Sequence, residues 1–257
     1  MGKKNKQKIK VIVDDNQVIN IEENRSGTRP FVSVICPTYN RRKFLPNAIK
    51  QFLYQTYPQE FMEMIIVDDS PESNEDIIPK QSNIKYHYLP EKMDLSDKRN
   101  YINDMVTGDI IVCFDDDDFY SPERVRHAVT KLSGSKCELA GSSIINIYYN
   151  SLDKIIQFGP YGPNHGTNGT MAYKRSYLQN HRYESGKHRS EEAFFTNNFT
   201  EKMIQLDPQN VMLCLAHDSN TVNKDQFIDR GTVTNLKLNK YFKQKCNEMI
   251  NWIKNEI

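Results

Sequence analysis

The chain has 257 residues, with 34 lysines and arginines against 33 aspartates and glutamates and a net charge of +1 at pH 7. This length accommodates one large or two small domains with a real core, and we expect one catalytic-sized domain with appendages. The balanced charge excludes a global field of the kind that attracts nucleic acid or an acidic polymer, so any charge-based function must be local.

The cysteines and the apolar runs indicate the compartment. The five cysteines are widely spaced and form no C-x-x-C pair, which favours free thiols in a reducing compartment over a disulfide or zinc framework. The basic lead MGKKNKQKIK is followed by no apolar signal region, and no stretch approaches the ~20 apolar residues that a membrane span needs. We therefore expect a soluble, cytoplasmic protein without a transmembrane segment.

The predicted elements begin with a small hairpin at residues 11–21, turning at Asp15–Asn16, and a linker that ends at Pro30. From residue 31, apolar runs of strand length alternate with amphipathic helical stretches, which is typical of a parallel sheet with covering helices. The predicted elements are, in order, strand 31–36, helix 43–55, strand 62–69, strand 84–89, helix 96–106 and strand 109–114. Gly108 is the predicted C-cap of the second helix.

The second half of the chain opens with the acidic run in FDDDDFYSPE, which lies in the crossover after strand 109–114. Ser121 as N-cap and Pro122 as first helical residue predict a helix to about Leu132. The later predicted elements are paired strands in ELAGSSIINIYY and KIIQFG, a short helix in SEEAFFTNNF, a strand in VMLCLAH and an amphipathic helix over 235–257.

The acidic run is more than a turn requires. Like charges about 4 Å apart cost on the order of 1–4 kcal/mol even when partly solvated, so four consecutive carboxylates predict a neutralising partner, with a solvated acidic loop as the alternative. A divalent cation such as Mg²⁺ or Mn²⁺ takes carboxylate oxygens together with substrate phosphates. A calcium-binding EF-hand loop does not fit, because no glycine occupies the sixth position counted from Asp115.

Polar residues also follow the strands at 31–36 and 62–69, and ligands of open parallel sheets bind at the carboxyl ends of the strands. Together, VSVICPTYNRRKFLPNAIKQFLYQTYP, IIVDDS, KRN and FDDDDFYSPE resemble the successive motifs of the GT-A-fold, family 2 nucleotide-sugar glycosyltransferases. The resemblance covers about residues 31–130. It implies a Rossmann-like α/β fold with a mostly parallel central sheet and helices on both faces. It also implies a nucleoside diphosphate-sugar donor, most often a UDP-sugar, and an acceptor hydroxyl on a glycan or other molecule.

The resemblance implies roles for individual donor-site residues. Asp69 would accept a hydrogen bond from the base, and Arg99 would approach the base or the diphosphate. Asp116 would bind the ribose, and Asp117 would bind the Mn²⁺ or Mg²⁺ that bridges the diphosphate. The remaining implied nucleotide-binding residues are Pro37, Thr38, Tyr39, Asn40 and Asp115. Alternatives stay open: an Asx-turn at Asp69, a surface ion pair for Arg99 and a helix-start or supporting role for Asp118.

Family 2 enzymes typically invert the anomeric centre, which requires a base for the acceptor hydroxyl. SEEAFF offers Glu191 and Glu192 in place of the commoner Glu-Asp pair, and Glu192 is the predicted base with Glu191 as alternate. Both could instead simply favour the helix macrodipole. His217, after a predicted strand, would supply a further metal ligand or be a structural histidine. The stretch 159–170 would line the sugar and acceptor side, with a flexible connector as the alternative.

The predicted organisation has three parts: a lead, hairpin and linker at 1–30, a catalytic domain at 31–225 and a C-terminal amphipathic helix within 226–257. The domain divides into a nucleotide-binding half, 31–134, and an acceptor half, 135–225. The apolar stripe of the last helix would pack on the domain, form a homo-oligomer or bind a membrane surface. A sugar-nucleotidyltransferase and a non-catalytic nucleotide- or sugar-binding module are the rival functions; the former would want a Gly-rich loop where PTYNRR stands.

Overall fold

A computed structural model describes residues 9–14, 17–21, 29–188, 190–242 and 246–257. Residues 1–30 and residues 31–257 are two separate compact units. In the smaller unit, β1 (Ile9–Asp14) and β2 (Gln17–Ile21) pair antiparallel, which confirms the expected hairpin. The predicted turn at residues 15–16 lies outside the described residues.

The larger unit alternates strands and helices through its first half and uses shorter elements afterwards. In chain order its elements are β3 Val32–Thr38, α1 Leu45–Leu53, β4 Met62–Asp68, β5 Ile84–Tyr88, α2 Leu95–Asn103, β6 Ile110–Cys113, β7 Phe119–Tyr120, α3 Arg124–Leu132, β8 Leu139–Gly141, β9 Ile145–Tyr149, β10 Lys154–Phe158, β11 Ala172–Lys174, α4 Glu192–Phe195, β12 Met203–Gln205, β13 Met212–Ala216, β14 Thr232–Val233 and α5 Asn247–Glu256.

The central sheet has seven strands in the order β12-β8-β11-β6-β3-β4-β5. The neighbours β6, β3, β4 and β5 are parallel, and β11 runs antiparallel between β6 and β8. One sheet face, with Val34 of β3, packs with apolar residues of α1 and α3, and the other, with Ile35, packs with Ile102 of α2. Burial on both faces explains the nearly continuous apolar runs of β3, β4 and β6. The expected α/β class is confirmed.

A second sheet has the order β14-β10-β9-β13-β7. The predicted pairing of ELAGSSIINIYY with KIIQFG is correct for β9 and β10 only, because β8 joins the central sheet. The chain changes sheets at Ser142 and Ser143, whose N–H groups donate to side-chain oxygens of Thr170 at 3.0 Å and Gln205 at 2.8 Å. These bonds replace strand partners, which allows the bend between the two sheets.

Two predicted helix ends are wrong. α2 ends at Asn103, and Gly108 is not among the glycines with positive φ. Gly108 is needed for packing instead, because a Cβ there would collide with the backbone nitrogen of Ser33. α3 begins at Arg124 rather than at Pro122. Ser121 opens a preceding turn, in which its carbonyl accepts from Arg124 N–H at 2.9 Å.

The predicted single helix over 235–257 is also wrong, because residues 238–240 form a 3-10 turn and α5 begins only at Asn247. Its apolar stripe nevertheless packs within the larger unit, against Phe119, Tyr148 and residues of β13. The stripe residues in this cluster are Leu238, Tyr241, Phe242, Cys246, Met249, Ile250 and Ile253. Within the described ranges, no helix combines the length and apolar character that crossing a membrane requires.

Candidate active site

The candidate site lies at the edge of the central sheet where the parallel strands β3, β4 and β6 end. The acidic run follows β6, so parallel pairing brings it beside the end of β3. Thr38, the last residue of β3, donates from Oγ1 to Asp116 Oδ2 at 2.5 Å. The sequence separates these two residues by 78 positions, and the sheet register brings them together.

The outer aspartates of the run bind other parts of the fold. Asp115 Oδ1 accepts from Arg99 at 3.1 Å. Asp118 is buried, and its Oδ1 accepts from the N–H of Leu215 in β13 at 3.0 Å. Burial raises the pKa of Asp118 to about 7, against the lowering effect of Lys224. Asp118 therefore ties the acidic loop to the second sheet, a supporting role of the kind left open by the sequence.

The inner aspartates, Asp116 and Asp117, have side chains that are 9% and 14% exposed. Burial, and next the charge of Asp117, raise the pKa of Asp116 well above its usual value. Burial also opposes ionisation of Asp117, but the hydrogen bond from His217 and the charges of Lys224 and Arg41 lower its pKa to about 2. Asp117 is therefore the carboxylate of the run that stays charged most readily.

A divalent cation fits the surroundings of Asp117. Its Oδ2 lies 3.3 Å from Nε2 of His217, whose side chain is 2% exposed. Two ligands that each lie 2.0–2.1 Å from one Mg²⁺ are roughly 3 Å apart. The described residues contain no closed cluster of three or more metal-ligating side chains. One carboxylate and one imidazole are instead an open set, which leaves positions for phosphate oxygens and water.

Asn220 and Arg41 complete the surroundings of that pair. Asn220 Nδ2 lies 3.3 Å from Asp117 Oδ2 and 2.8 Å from His217 Nε2. The Oδ1 of Asn220 accepts from the backbone N–H of His217 at 2.9 Å. Arg41 lies 3.4 Å from Asp117. Asn220 therefore holds the histidine ring beside the carboxylate, while Arg41 balances part of the negative charge.

Asp69, the residue predicted to contact the nucleobase, belongs to a buried ion pair. Its Oδ1 pairs with Lys98 Nζ, and its Oδ2 accepts from Met93 N–H at 2.7 Å. Lys98 Nζ also donates to the carbonyl of Thr38 at 2.8 Å. The Asx-turn considered for Asp69 is formed by Asp68, whose Oδ1 accepts from Ser70 N–H at 2.9 Å. The carboxylate of Asp69 is thus fixed between two chain segments before any ligand binds.

The other residues predicted beside the nucleotide lie along the same strand end. Pro37 is buried within β3, and Tyr39 is half-buried with Lys92 Nζ 4.0 Å from its ring centroid. Asn40 has a left-handed backbone with φ of 54°, and its N–H donates to Ser70 Oγ at 2.7 Å. The structure therefore brings the end of β3 together with the turn after β4.

Arg99 connects the acidic loop to the segment that carries the predicted general base, SEEAFF. Its guanidinium is buried, with Nε donating to Glu191 at 2.9 Å and one terminal nitrogen donating to Asp115 at 3.1 Å. The other terminal nitrogen is buried and has no hydrogen-bond partner among the described residues. Arg99 is therefore not a surface ion pair, and two of its three side-chain nitrogens donate within the fold. Its contact with the base or diphosphate stays a prediction.

The two glutamates of SEEAFF have different environments. Glu191 is buried, and its Oε1 accepts from both Arg99 and Asn168 at 2.9 Å. Glu192 is half-buried at the start of α4, and no other described side chain hydrogen-bonds to its carboxylate. Burial, and next the charge of Glu191, raise the pKa of Glu192 to about 7. Glu191 is committed to structure, whereas Glu192 has a basic and available carboxylate.

Sequence reasoning assigned no role to several residues that the structure places in the site. Three of them stand inside motifs that the sequence analysis names: Arg41 in PTYNRR, Lys98 in KRN and Asn168 in the stretch 159–170. Asn220 follows His217 closely, but nothing in its spacing predicts a partner 103 residues away. These residues contact the site through long-range packing, for which one sequence offers no signal.

Comparison with solved structures identifies the fold. A mannosyltransferase from Pyrobaculum calidifontis, PcManGT, in complex with GDP-Man and Mn²⁺, matches with a TM-score of 0.61 at 17% identity, over 79% of this chain and 61% of that one. S. aureus TarS 1–349 in complex with UDP-GlcNAc matches with a TM-score of 0.59 at 18% identity, over 74% and 59%. The fold is that of the GT-A glycosyltransferases.

Comparison of the sequence gives the family. The model of glycosyl transferase family 2 matches residues 33–197, so the chain belongs to this family. The glycosyltransferase AglE of Haloferax volcanii is 27% identical over 130 residues, which are 49% of this chain and 43% of that protein. The chain spans about half the length of the curated relatives it matches.

Proposed function

We propose that the protein is a metal-dependent, inverting glycosyltransferase that moves a sugar from a nucleoside diphosphate-sugar, a UDP-sugar, to a hydroxyl of a glycan or other acceptor. The observation that carries the proposal is the bridge that Arg99 makes between Asp115 and Glu191. It brings the acidic loop, which suits a diphosphate and its cation, next to the available carboxylate of Glu192.

The donor would bind across the ends of β3 and β4. Asp69 accepts from the base, and Asp116, held by Thr38, accepts from a ribose hydroxyl. Because these carboxylates are hydrogen-bonded before the donor arrives, little ordering remains at the moment of binding. Pro37, Tyr39 and Asn40 line this part of the site, and the free nitrogen of Arg99 is the donor left for a phosphate or base oxygen.

Asp117 and His217 would hold the divalent cation, Mn²⁺ or Mg²⁺. The Mn²⁺ in the PcManGT complex, a protein of the same fold, supports this assignment. When bound, such a cation stabilises the negative charge that develops on the leaving diphosphate. Asn220 keeps the imidazole in register with the carboxylate through its two contacts.

Glu192 would act as the general base. It takes the proton of the acceptor hydroxyl while that oxygen bonds to the anomeric carbon and the bond from this carbon to the diphosphate oxygen breaks. Attack from the side opposite the leaving group inverts the anomeric centre. Glu191 is the weaker candidate because Arg99 and Asn168 already occupy its Oε1.

Thermal melting with UDP and Mn²⁺ tests the donor site. Both together should raise the melting temperature of the wild type, and Asp117→Ala should abolish the gain. The exposed neighbour Asp218 serves as the control, since Asp218→Ala should keep the gain. A retained gain in Asp117→Ala contradicts the role of Asp117. If no nucleoside diphosphate shifts the wild type with any divalent metal, the donor site itself is wrong.

Turnover separates the enzyme from its rivals. Release of UDP from a UDP-sugar in the presence of an acceptor supports transfer, whereas nucleotide binding without turnover supports a binding module. Formation of a sugar nucleotide from a nucleoside triphosphate supports a nucleotidyltransferase. The cytoplasmic location, the boundaries of the catalytic domain and a homo-oligomer through the C-terminal segment remain parts of the prediction.

A further inference from the structure

Three aromatic side chains form a continuous ladder on the acceptor half of the molecule: Tyr161, His165 and Phe199. The Tyr161 and His165 ring centroids are 4.9 Å apart at 45°, and those of His165 and Phe199 are 4.5 Å apart at 25°. Tyr161 is 58% exposed, and the other two side chains are half-buried. Adjacent aromatic rings that are partly exposed together are more typical of a binding surface than exposed rings that stand alone.

The aromatic ladder lies at the same edge of the sheet as the acidic loop. β11 is antiparallel to both β6 and β8, and β12 is parallel to β8, so β6, β8 and β12 end at one edge. The segment that carries Tyr161 and His165 is attached there. Tyr161 N–H donates to the carbonyl of Ser143 after β8, and Gln205 at the end of β12 donates to the carbonyl of His165 at 3.1 Å.

Two members of the aromatic ladder, His165 and Phe199, are close in the chain to residues that contact the glutamate pair. Asn168, three residues after His165, donates to Glu191 at 2.9 Å. Phe199 follows α4 directly: Thr196 N–H donates to the carbonyl of Glu192 at 2.9 Å, and Phe199 N–H donates to Thr196 Oγ1 at 3.2 Å. The aromatic ladder therefore begins one tight turn from the proposed base.

The turn that presents Phe199 has a backbone that side chains rarely adopt. Asn197, Asn198 and Phe199 have φ of 50°, 54° and 60° in succession. Non-glycine residues persist in this region only where the surroundings over-determine them, and they cluster at ligand-binding sites. The hydrogen bond from Asn198 N–H to Ala193 O, at 2.6 Å, and the stacking of Phe199 on His165 hold the turn.

The chemistry of the aromatic ladder fits a neutral ring with one apolar face. Burial lowers the pKa of His165, so its ring is uncharged at neutral pH. None of the three side chains then offers the fixed positive charge that phosphate recognition uses. A pyranose presents C–H groups on a face and hydroxyls at its rim, which matches aromatic faces beside the Tyr161 hydroxyl.

We propose that Tyr161, His165 and Phe199 form an acceptor subsite that stacks against a pyranose ring of a saccharide acceptor next to Glu192. The inference rests on the proposed transferase function and names the substrate class of its acceptor as a saccharide.

Saturation-transfer NMR on the full chain with UDP and Mn²⁺ tests the subsite. The probes are unbranched hexasaccharides of glucose, N-acetylglucosamine, galactose and mannose. At least one should bind the wild type through its ring C–H protons. Tyr161→Ala should weaken that binding about three- to tenfold, the range for one aromatic pair, and Tyr161→Phe should retain most of it. Tyr101→Ala, which removes an exposed tyrosine of α2, should change nothing.

Phe199→Leu provides a second variant and should weaken saccharide binding while UDP still raises the melting temperature. Unchanged saccharide binding in Tyr161→Ala overturns the subsite, and substitution of a side chain that is 58% exposed should change folding stability little. Failure of the wild type to bind any of the four probes, with UDP binding intact, also overturns it. If UDP does not bind the wild type at all, that result would instead contradict the proposed function.

Discussion

The two halves of the candidate site differ in how far the chain itself satisfies the groups that face the ligand. On the donor side, Asp69 and Asp116 are buried and hydrogen-bonded by Lys98, Met93 and Thr38. On the proposed acceptor side, no other described side chain hydrogen-bonds to the carboxylate of Glu192, and Tyr161 is exposed. A preorganised donor side binds one ligand closely, whereas an open acceptor side loses little stability when it is changed.

The glutamate pair gives the largest test of this difference. Glu192→Gln should lower transfer by roughly 10²- to 10⁴-fold, the usual contribution of a positioned base, and leave UDP binding intact. Glu191→Gln should lower the melting temperature, because Arg99 loses the buried one of its two carboxylate partners. Transfer rates and melting curves of both variants check the assignment.

Retained turnover in Glu192→Gln would move the base to Glu191 or elsewhere. A loss of stability in Glu192→Gln equal to that in Glu191→Gln would remove the distinction between an open carboxylate and a structural one.

The second test concerns the bridge between the two sides. Arg99→Gln leaves Glu191 and Asp115 without their cation, and breaking a buried ion pair costs about 3–5 kcal/mol. Arg182 is the matched control, because it pairs with Asp104 at 2.8 Å with both side chains exposed. Arg182→Gln should cost at most about 1 kcal/mol. Urea unfolding measures both, and equal costs would contradict a bridging role for Arg99.

The third test addresses Asp69, the proposed contact to the nucleobase of the donor. Lys98→Met removes the ammonium that holds Asp69 and the carbonyl of Thr38. A hydrogen bond to a charged group contributes about 1.5–3 kcal/mol, so UDP affinity should fall by about ten- to a hundredfold. Lys92→Met, which removes an exposed lysine over Tyr39, should have a smaller effect. Calorimetric titration with UDP distinguishes them, and equal losses would contradict a specific role for Lys98.

The same division describes how far the sequence predicts the structure. Residues 31–114 form long apolar strands and amphipathic helices, so periodicity locates β3, β4, β5 and β6 and their polar ends. Residues 135–225 form strands of three to five residues, which are too short for their periodicity to show which sheet they join. β8 and β9 were therefore predicted as one stretch.

Side-chain partners were the least predictable part of the site. The sequence located the acidic run but not the four different destinations of its carboxylates. Asp115 turns to Arg99 and Asp118 to β13, and the latter contact spans 97 residues. Such choices depend on sheet order and burial, which no local motif records. Gly108 shows the same limit, because its need for a missing Cβ comes from Ser33 on another strand.

The smallest test is the dependence of the rate on pH. Burial and Glu191 raise the pKa of Glu192 to about 7, and a base must be deprotonated to act. Transfer at saturating donor should therefore rise with pH and level off above about pH 8, with roughly a tenth of the plateau left at pH 6. A flat profile between these values would contradict Glu192 as the base.

The same pKa links Glu192 to stability with the opposite sign. The folded carboxyl keeps its proton up to about pH 7, above its ordinary value of 4.5, so the folded state binds more protons than the unfolded state in this window. The contribution of Glu192 to stability then falls as the pH rises from about 4.5 to 7. Relative to the wild type, Glu192→Gln should become more stable between pH 5 and pH 8. Asp118, whose pKa is also about 7, is present in both proteins, so the difference in their melting temperatures isolates Glu192.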